Sequence, residues 1–441
     1  MLSTREATSL MDLETLPGGS PPVSKATLGS APSRLPTSNT APPLPGLESK
    51  RVIGRFTGPE TGPTLVLVGG LHGNEPAGVL GIRRVFESLE RSGIPRGSVV
   101  GLAGNLEALG RRQRYLEADL NRHWLPERVA RLEATDQPLA AEDHELRELL
   151  EELRKIQVET PEGERIYLLD IHTFSAPGIA FTPLEDSLPN RAFASEFHAP
   201  VVLGLEEELS GTLTSWASAN GMVASGFESG QHDEAEAVDR AEAAVWIAFE
   251  AAGLFDEGLH PEVSKARRRL EEECRDLPAV VEVRYRHAIT QVDAFRMDVG
   301  FENFQEITEG LAVGRDRQGP VEAPLDSLIL MPLYQRQGAD GFFLVRPVHP
   351  LWLELSALVR RFRFDRFVHW LPGVERRDGA TDTFVVDRQR ARFLALEIFH
   401  LLGFQRQSSE TERHLVMSRR AYDEAARSIR PIRGRRPRWR R

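Results

Sequence analysis

The segment TLVLVGGLHGNEPAG, residues 64–78, carries the clearest structural pattern in the chain. Its first five residues form an apolar run rich in branched side chains, which is typical of a buried strand. Two glycines end this run, a tight turn of Gly, Asn and Pro follows, and apolar residues then recur at helical spacing from Val79 to Leu89. The stretch therefore predicts a strand, a turn and a helix in succession. In open α/β sheets, functional sites gather at the carboxyl ends of the strands, where this turn lies.

Imidazole and carboxylate groups stand at the ends of two such strands. His72 and Glu75 lie in the turn, and His172 follows a second apolar run, YLLDI, at residues 167–171. Two histidines and a glutamate form an attested catalytic zinc set, in which three protein ligands leave one position open for water. We therefore predict that these three residues hold one zinc ion per subunit, and that Asp170 binds either the backbone or an imidazole. The alternative is that each is an ordinary polar residue at a strand end.

Three motifs follow one another along the chain, namely GGLHGNEPAG at 69–78, RYLEADLNR at 114–122 and LLDIHT at 168–173. Together they resemble the succinylglutamate desuccinylase and aspartoacylase family, a branch of the zinc carboxypeptidase fold. The likeness covers roughly residues 50–350. It implies an α/β fold, with a zinc-carboxypeptidase-like mixed sheet flanked by helices and followed by a small all-β domain. The sequence adds a helical C-terminal extension, for which we predict helices at 351–364 and 388–402.

The motif at 114–122 lies in a stretch dense in polar side chains. From the residues alone it is either a solvated basic loop or a carboxylate clamp, because a guanidinium binds a carboxylate through two parallel hydrogen bonds. The resemblance implies that Asn121 and Arg122 hold the carboxylate of the substrate. It also implies that Arg114 polarises the scissile carbonyl. Asp119, in the same motif, is expected to order the loop.

A hydrolase of this kind also needs a general base. Glu228 ends the strand-like run MVASGFE and precedes Ser229 and Gly230, and it resembles the catalytic glutamate of the family. The competing acidic run at 206–208 lies between a strand and a turn, and we interpret it as solvated. In the implied reaction, Glu228 takes a proton from water and passes it to the leaving amine.

Composition limits the remaining classes of function. The net charge of −10 gives no global attraction to nucleic acid or membrane. The single cysteine, Cys274, excludes an internal disulfide framework and fits a reducing compartment. No run reaches membrane-spanning length, and residues 1–20 lack a basic start followed by an apolar stretch. We therefore expect a cytoplasmic protein that binds neither membrane nor nucleic acid, and a homo-oligomer is compatible with the sequence.

The length of 441 residues predicts roughly two or three folded units. Residues 1–49 are rich in Pro, Ser, Thr and Gly and should be a disordered tail. The remaining predicted segments are a catalytic domain at 50–255, a charged linking helix at 256–276, a small β domain at 277–350, a mainly helical extension at 351–426 and an arginine-rich tail at 427–441.

The sequence thus predicts a zinc-dependent hydrolase that removes an acyl group from a small carboxylate-bearing substrate, by cleaving an amide or else an ester. Two alternatives stay open, a peptidase or cell-wall amidase on the same fold and a binding module without catalysis. Two departures from the family leave the substrate undefined. Residues 174–178, FSAPG, do not continue the third motif as expected, and Arg191 is the sole arginine between Phe174 and Glu228, without a matching context.

Overall fold

The computed structural model describes residues 50–134, 140–362, 373–376, 383–387, 402, 404–411 and 414–419. The tails predicted at 1–49 and 427–441, and nearly all of the helix predicted at 388–402, lie outside the described residues. The strands are β1 Val52–Thr57, β2 Glu60–Gly69, β3 Arg96–Ala103, β4 Ile166–Phe174, β5 Thr182–Pro183, β6 Val201–Leu203, β7 Val223–Gln231, β8 Val280–Ala288, β9 Arg296–Met297, β10 Glu306–Ile307, β11 Ala312–Asp316, β12 Gly319–Glu322, β13 Ser327–Leu330, β14 Asp340–Pro347, β15 Val374–Arg376, β16 Thr383–Asp387, β17 Phe404–Thr411 and β18 His414–Arg419. The α-helices are α1 Ala77–Ser92, α2 Leu106–Arg111, α3 Pro126–Glu133, α4 Ala141–Glu159, α5 Leu188–Ala194, α6 Leu205–Glu208, α7 Leu213–Ala219, α8 Ala235–Ala251, α9 Pro261–Glu273 and α10 Pro350–Arg361.

A five-stranded mixed sheet, in the order β1–β3–β2–β4–β7, forms the centre of the segment predicted to be the catalytic domain. Strands β3, β2, β4 and β7 run parallel, and β1 is an antiparallel edge strand. The run that opens the first motif is the inner part of β2, and residues 65–68 are fully buried there. Such a strand is apolar throughout because both faces of a parallel sheet are covered.

Helices cover both faces of this sheet. On one face, α1 and α8 pack against Leu65 and Leu67 of β2. On the other face, the leucine stripe of α4 packs against Val66 and Val68, together with residues of α3 and α7. The predicted mixed α/β fold with flanking helices is therefore confirmed.

The second sheet is shared between two of the predicted domains. Its order is β10–β13–β14–β8–β6–β5, so strands from residues 280–347 join β5 and β6 of the segment assigned to the catalytic domain. Val201 and Val202 of β6 pair with Val280 and Val281 of β8. A smaller sheet, β12–β11–β9, belongs wholly to the later segment. The expected small all-β domain is not confirmed as a separate unit, because β8 covers an edge that β6 would otherwise leave open.

The charged segment 256–276 is more than a solvated linker. Val263, Ala266 and Leu270 of α9 are buried in the core that α8 shares with the central sheet. The charged residues of α9 occupy its other face, so the helix is amphipathic. Within the described residues, no helix combines the length and the apolar character needed to cross a membrane.

The C-terminal extension departs from its prediction. Helix α10 matches the first predicted helix. The remaining described residues of the extension form an antiparallel sheet in the order β15–β16–β18–β17, so the expectation of a mainly helical segment is wrong for them. The reason is visible in β16, where buried and half-buried residues alternate with the period of two that defines a strand.

Candidate metal centre and active site

Glycines shape the turn that carries His72 and Glu75. Gly70 adopts a φ of +75°, a left-handed conformation that favours glycine, and the chain reverses there at the end of β2. A Cβ atom at Gly73 would lie 2.0 Å from the carbonyl carbon of Ala108, so any larger residue would clash with α2. The turn can therefore hold its two polar side chains close to the sheet edge.

The three predicted metal ligands meet at one point. The ligand atoms of His72, Glu75 and His172 all lie within 4.8 Å of one another, and all three residues are buried. The Nδ1 atom of His72 lies 2.9 Å from Oε1 of Glu75, and the Nδ1 atom of His172 lies 3.0 Å from Oε2. Thr173 donates its backbone N–H to the same Oε2 at 3.1 Å. The fold thus brings the turn after β2 close to the end of β4, although the two are far apart in the sequence.

Charge is concentrated at this point. Burial alone would raise the pKa of Glu75, but the charge of His72 and the hydrogen bonds from both imidazoles hold that pKa well below its usual value. Burial alone would lower the pKa of His172, but the carboxylate of Asp170 outweighs it and raises that pKa well above its usual value. The carboxylate of Glu75 therefore stays ionised although it is buried, which favours positive charge beside it.

A carboxylate also holds the far nitrogen of each imidazole. The Nε2 atom of His72 lies 3.0 Å from Oδ1 of Asp119, and that of His172 lies 2.8 Å from Oδ2 of Asp170. Of the two partners expected for Asp170, the structure shows the imidazole. Asp119 orders its loop as expected, since it accepts the backbone N–H of Asn121 at 2.9 Å, but its contact with His72 was not predicted.

These residues fit a zinc ion. Two imidazole nitrogens and one carboxylate are a catalytic zinc set, and carboxylates on the outer nitrogens are the usual support of zinc-bound histidines. A further observation agrees with a site built for additional atoms. Within the described part of the chain, Oε2 of Glu228 is a buried oxygen without a hydrogen-bond partner, which is rare in folded proteins.

Glu228 is placed beside the metal ligands by the register of the sheet. It lies opposite His172 in the parallel pair of β4 and β7, and its side chain is buried. Burial raises the pKa of Glu228 to about 8; the negative charge of Glu75 adds to this rise, while the positive charges of His172 and Arg114 oppose it. A carboxyl group that exchanges its proton near neutral pH suits a general acid–base role.

Arg114 contacts Glu75, one of the three predicted metal ligands, so it does not belong to a solvated basic loop. Its Nη1 atom lies 3.2 Å from Oε1 of Glu75, and its Nη2 atom donates to Oδ2 of Asp119 at 3.0 Å. Burial opposes the charged form, but these two carboxylates raise the pKa of Arg114. The guanidinium of Arg114 therefore places a permanent positive charge beside Glu75.

Asn121 and Arg122 lie next to Arg114 but have different surroundings. The Oδ1 atom of Asn121 accepts the backbone N–H of Leu213 at 2.8 Å, and its Nδ2 atom lies 3.5 Å from Nε2 of His172. Arg122 donates through Nη1 to the carbonyl oxygen of Asn121 at 2.9 Å. Its side chain is 27% exposed, so the guanidinium can reach a bound molecule.

Glu142 anchors the loop that carries these groups, a role that no sequence pattern indicates. Its fully buried carboxylate accepts hydrogen bonds from three consecutive backbone N–H groups, those of Leu116, Glu117 and Ala118, at 2.7 to 3.3 Å. The same carboxylate accepts a fourth hydrogen bond from the side-chain amide of Asn105 at 3.3 Å. In the sequence Glu142 is one of two acidic residues in the first turn of α4, where acidic residues are common for other reasons.

A cavity of about 150 Å³ opens beside these groups. Arg114, Asp119 and Arg122 line it, and the segment between β13 and β14 closes one side. Within that segment, Gln335 accepts a hydrogen bond from Asn74 at 2.9 Å and lies 3.1 Å from Nε2 of His232. No motif marks this segment, so its contribution could not be predicted.

Comparison with known proteins agrees with the three motifs. Residues 61–245 match the family model of the succinylglutamate desuccinylase/aspartoacylase catalytic domain. The succinylglutamate desuccinylase of Pseudomonas fluorescens (strain SBW25) is 44% identical over 64 residues, which are 14% of this chain and 19% of that protein. The predicted resemblance to this hydrolytic family is therefore confirmed, and its model covers the segment that contains every predicted site residue.

Two solved structures are similar to part of this chain. The succinylglutamate desuccinylase from Vibrio cholerae is 18% identical, with 65% of this chain and 82% of that chain covered and a TM-score of 0.44. The succinylglutamate desuccinylase/aspartoacylase from Rhodobacter sphaeroides is also 18% identical, with 66% and 87% covered and a TM-score of 0.46.

Proposed function

We propose that this protein is a zinc-dependent hydrolase that removes an acyl group from a small carboxylate-bearing substrate. One observation carries the proposal, the convergence of His72, Glu75 and His172 within 4.8 Å at the edge of the sheet where Glu228 also lies. The family match over residues 61–245 supports acyl-group hydrolysis as the reaction class.

His72, Glu75 and His172 are the residues that would hold the zinc ion. When bound, such an ion polarises the carbonyl group of the substrate and lowers the pKa of a water molecule toward neutrality. The outer carboxylates, Asp119 and Asp170, keep both imidazoles in the orientation that presents Nδ1 to the centre.

Glu228 is the proposed general base and then general acid. Its Oε2 atom takes a proton from the attacking water while the oxygen of that water bonds to the carbonyl carbon. The same atom then gives the proton to the leaving nitrogen, and the C–N bond breaks to yield a carboxylate and an amine. A divalent cation nearby would favour the ionised form of Glu228, which is the form that accepts a proton.

The arginines divide two tasks. Arg114, fixed by Glu75 and Asp119, stabilises the negative charge that develops on the carbonyl oxygen. Arg122, with Asn121 beside it, binds the carboxylate of the substrate. This contact positions the reacting carbonyl for attack before the reaction begins.

A metal analysis combined with a substrate screen tests this function. The purified protein should contain about one zinc per chain, and it should hydrolyse N-acyl amino acids faster than short peptides. Glu228→Gln should retain zinc and lose at least about 100-fold in kcat, the usual scale for removing a general base. Glu90→Gln, which removes an exposed carboxylate from α1, is the matched control and should leave kcat unchanged. A zinc-loaded Glu228→Gln enzyme with near-normal turnover would refute the assignment.

A further inference from the structure

The cavity of about 150 Å³ beside Arg114 and Arg122 is lined by equal numbers of positively and negatively charged side chains. Among the described residues that line it, two are cationic, Arg114 and Arg122, and two are anionic, Asp119 and Asp340. The number of cations that remain free to meet a substrate therefore decides how many carboxylates the substrate can carry.

Arg114 is not free to bind a substrate carboxylate. Its Nε and Nη2 atoms lie 3.3 Å and 3.0 Å from the same oxygen of Asp119, and its Nη1 atom lies 3.2 Å from Glu75. Two carboxylates already surround this guanidinium. In the proposed reaction Arg114 stabilises the reacting carbonyl oxygen, so it is not available to a second carboxylate of the substrate.

Arg122 has room for one carboxylate. Its Nη1 atom donates to a backbone carbonyl, and its Nη2 atom lies 3.6 Å from Oδ2 of Asp340, beyond a direct hydrogen bond. Asp340 is shared, because its other oxygen accepts a hydrogen bond from Nε of Arg286 at 2.6 Å. The group of Arg122, Asp340 and Arg286 thus carries a net charge of +1, which one carboxylate neutralises.

The rest of the described cavity wall offers no third cation. Much of it is apolar, formed by Phe174, Leu209, Met331, Leu333 and Phe343. Arg191, the sole arginine that the sequence offers between Phe174 and Glu228, lies elsewhere. It lines a different cavity of about 380 Å³ and is held by Asp186, with Nη2 donating at 2.7 Å.

From this balance we propose that the substrate carries a single carboxylate, bound by Arg122, and that its acyl group and remaining side chain are uncharged. The inference rests on the proposed acyl-hydrolase function and narrows its substrate class to N-acyl monocarboxylates. A second carboxylate would lie against the apolar wall or beside Asp340, and a buried charge without a partner is strongly disfavoured.

A matched pair of substrates tests the inference on the wild-type, zinc-loaded protein. N-butyrylglycine and N-succinylglycine have acyl groups of the same chain length and differ by one terminal carboxylate. We expect kcat/KM to be at least about tenfold higher for the butyryl compound, the scale on which an unpaired polar group is rejected in a buried site. The same comparison between N-acetylleucine and N-acetylglutamate probes the amino acid side. Preference for either dicarboxylate overturns the inference.

Binding provides a readout that does not depend on turnover. Isothermal titration of the zinc-loaded Glu228→Gln protein, in which hydrolysis is slow, should give tighter binding of N-butyrylglycine than of N-succinylglycine. If the butyryl compound binds more tightly but no compound is hydrolysed by the wild type, the substrate class is supported and the proposed hydrolase function fails. If hydrolysis occurs with the dicarboxylate favoured, the function stands and the substrate class is wrong.

The variant Asp340→Asn tests the charge argument itself. It removes the negative charge beside Arg122 without changing the shape of the side chain, so the ratio of kcat/KM between butyryl and succinyl substrates should fall severalfold. Glu322→Gln removes one exposed negative charge from β12, outside the cavity, and should leave that ratio unchanged. An unchanged ratio in Asp340→Asn would contradict the argument.

Discussion

The substitution Glu142→Gln tests how the loop that carries Arg114 and Arg122 is held in place. One carboxylate oxygen of Glu142 contacts Leu116 and Asn105, and the other accepts the N–H groups of the next two loop residues. Glutamine keeps one acceptor oxygen and places an NH₂ group where the other oxygen stood. Two of the four donors would then face a donor instead of an acceptor.

The expected loss of stability follows from those two unpaired donors. A buried donor without a partner costs about 1–3 kcal/mol, so Glu142→Gln should lower the free energy of unfolding by about 2–6 kcal/mol. The functional consequence should appear mainly in KM, because the loop carries Arg122, the proposed carboxylate ligand of the substrate. Urea unfolding measures the first quantity, and steady-state kinetics with an N-acyl amino acid measures the second.

Glu148 provides the control on the same helix. Its side chain is 59% exposed, and its ion pair with Arg51 at 3.1 Å lies at the surface. Exposed ion pairs contribute about 0–1 kcal/mol, so Glu148→Gln should change stability and KM little. If Glu142→Gln costs less than about 1 kcal/mol, or no more than Glu148→Gln, Glu142 does not anchor the loop.

Three further predictions concern the metal centre. Asp170→Asn should weaken zinc affinity about 10- to 100-fold, because it alters the partner of Nε2 of His172; competition with a chelator measures the affinity, and an unchanged value would exclude this support role. Removing zinc with EDTA should lower the melting temperature and added zinc should restore it, since an ion that binds only the folded state stabilises it; equal melting temperatures would argue against a bound ion. In the metal-free protein, the pKa of Glu228 is raised to about 8, so its protonated form stabilises the fold at low pH and this contribution is lost as the pH rises through about 8. The stability of the wild type relative to Glu228→Gln should therefore fall between about pH 5 and pH 8 in EDTA, and a difference that is constant with pH would contradict the raised pKa.

The sequence was sufficient to predict those parts of the site that depend on the local pattern of apolar residues and glycines. A buried strand that ends in a glycine turn predicts where His72 and Glu75 lie, and a second strand predicts the position of His172. The carboxyl ends of parallel strands lie at one edge of the sheet, so the convergence of these predicted ligands follows from the fold class. The resemblance then indicated which arginines and which glutamate to examine.

Contacts between distant segments could not be predicted in the same way. Asp340 and Gln335 reach the cavity from a segment without a motif, and the sharing of a sheet between β6 and β8 depends on which edges need cover. Glu142 accepts backbone groups, and a backbone N–H has no signature in the sequence. A mainly helical extension is not confirmed, because short strands among its described residues carry apolar side chains that also suit a helix.

Diffraction data collected at the zinc absorption edge, from crystals grown with zinc, would show whether the three residues bind the ion. We expect one strong anomalous peak per chain, within bonding distance of Nδ1 of His72, a carboxylate oxygen of Glu75 and Nδ1 of His172. A map without a peak at that point, or with its main peak on other residues, would refute the proposed metal site.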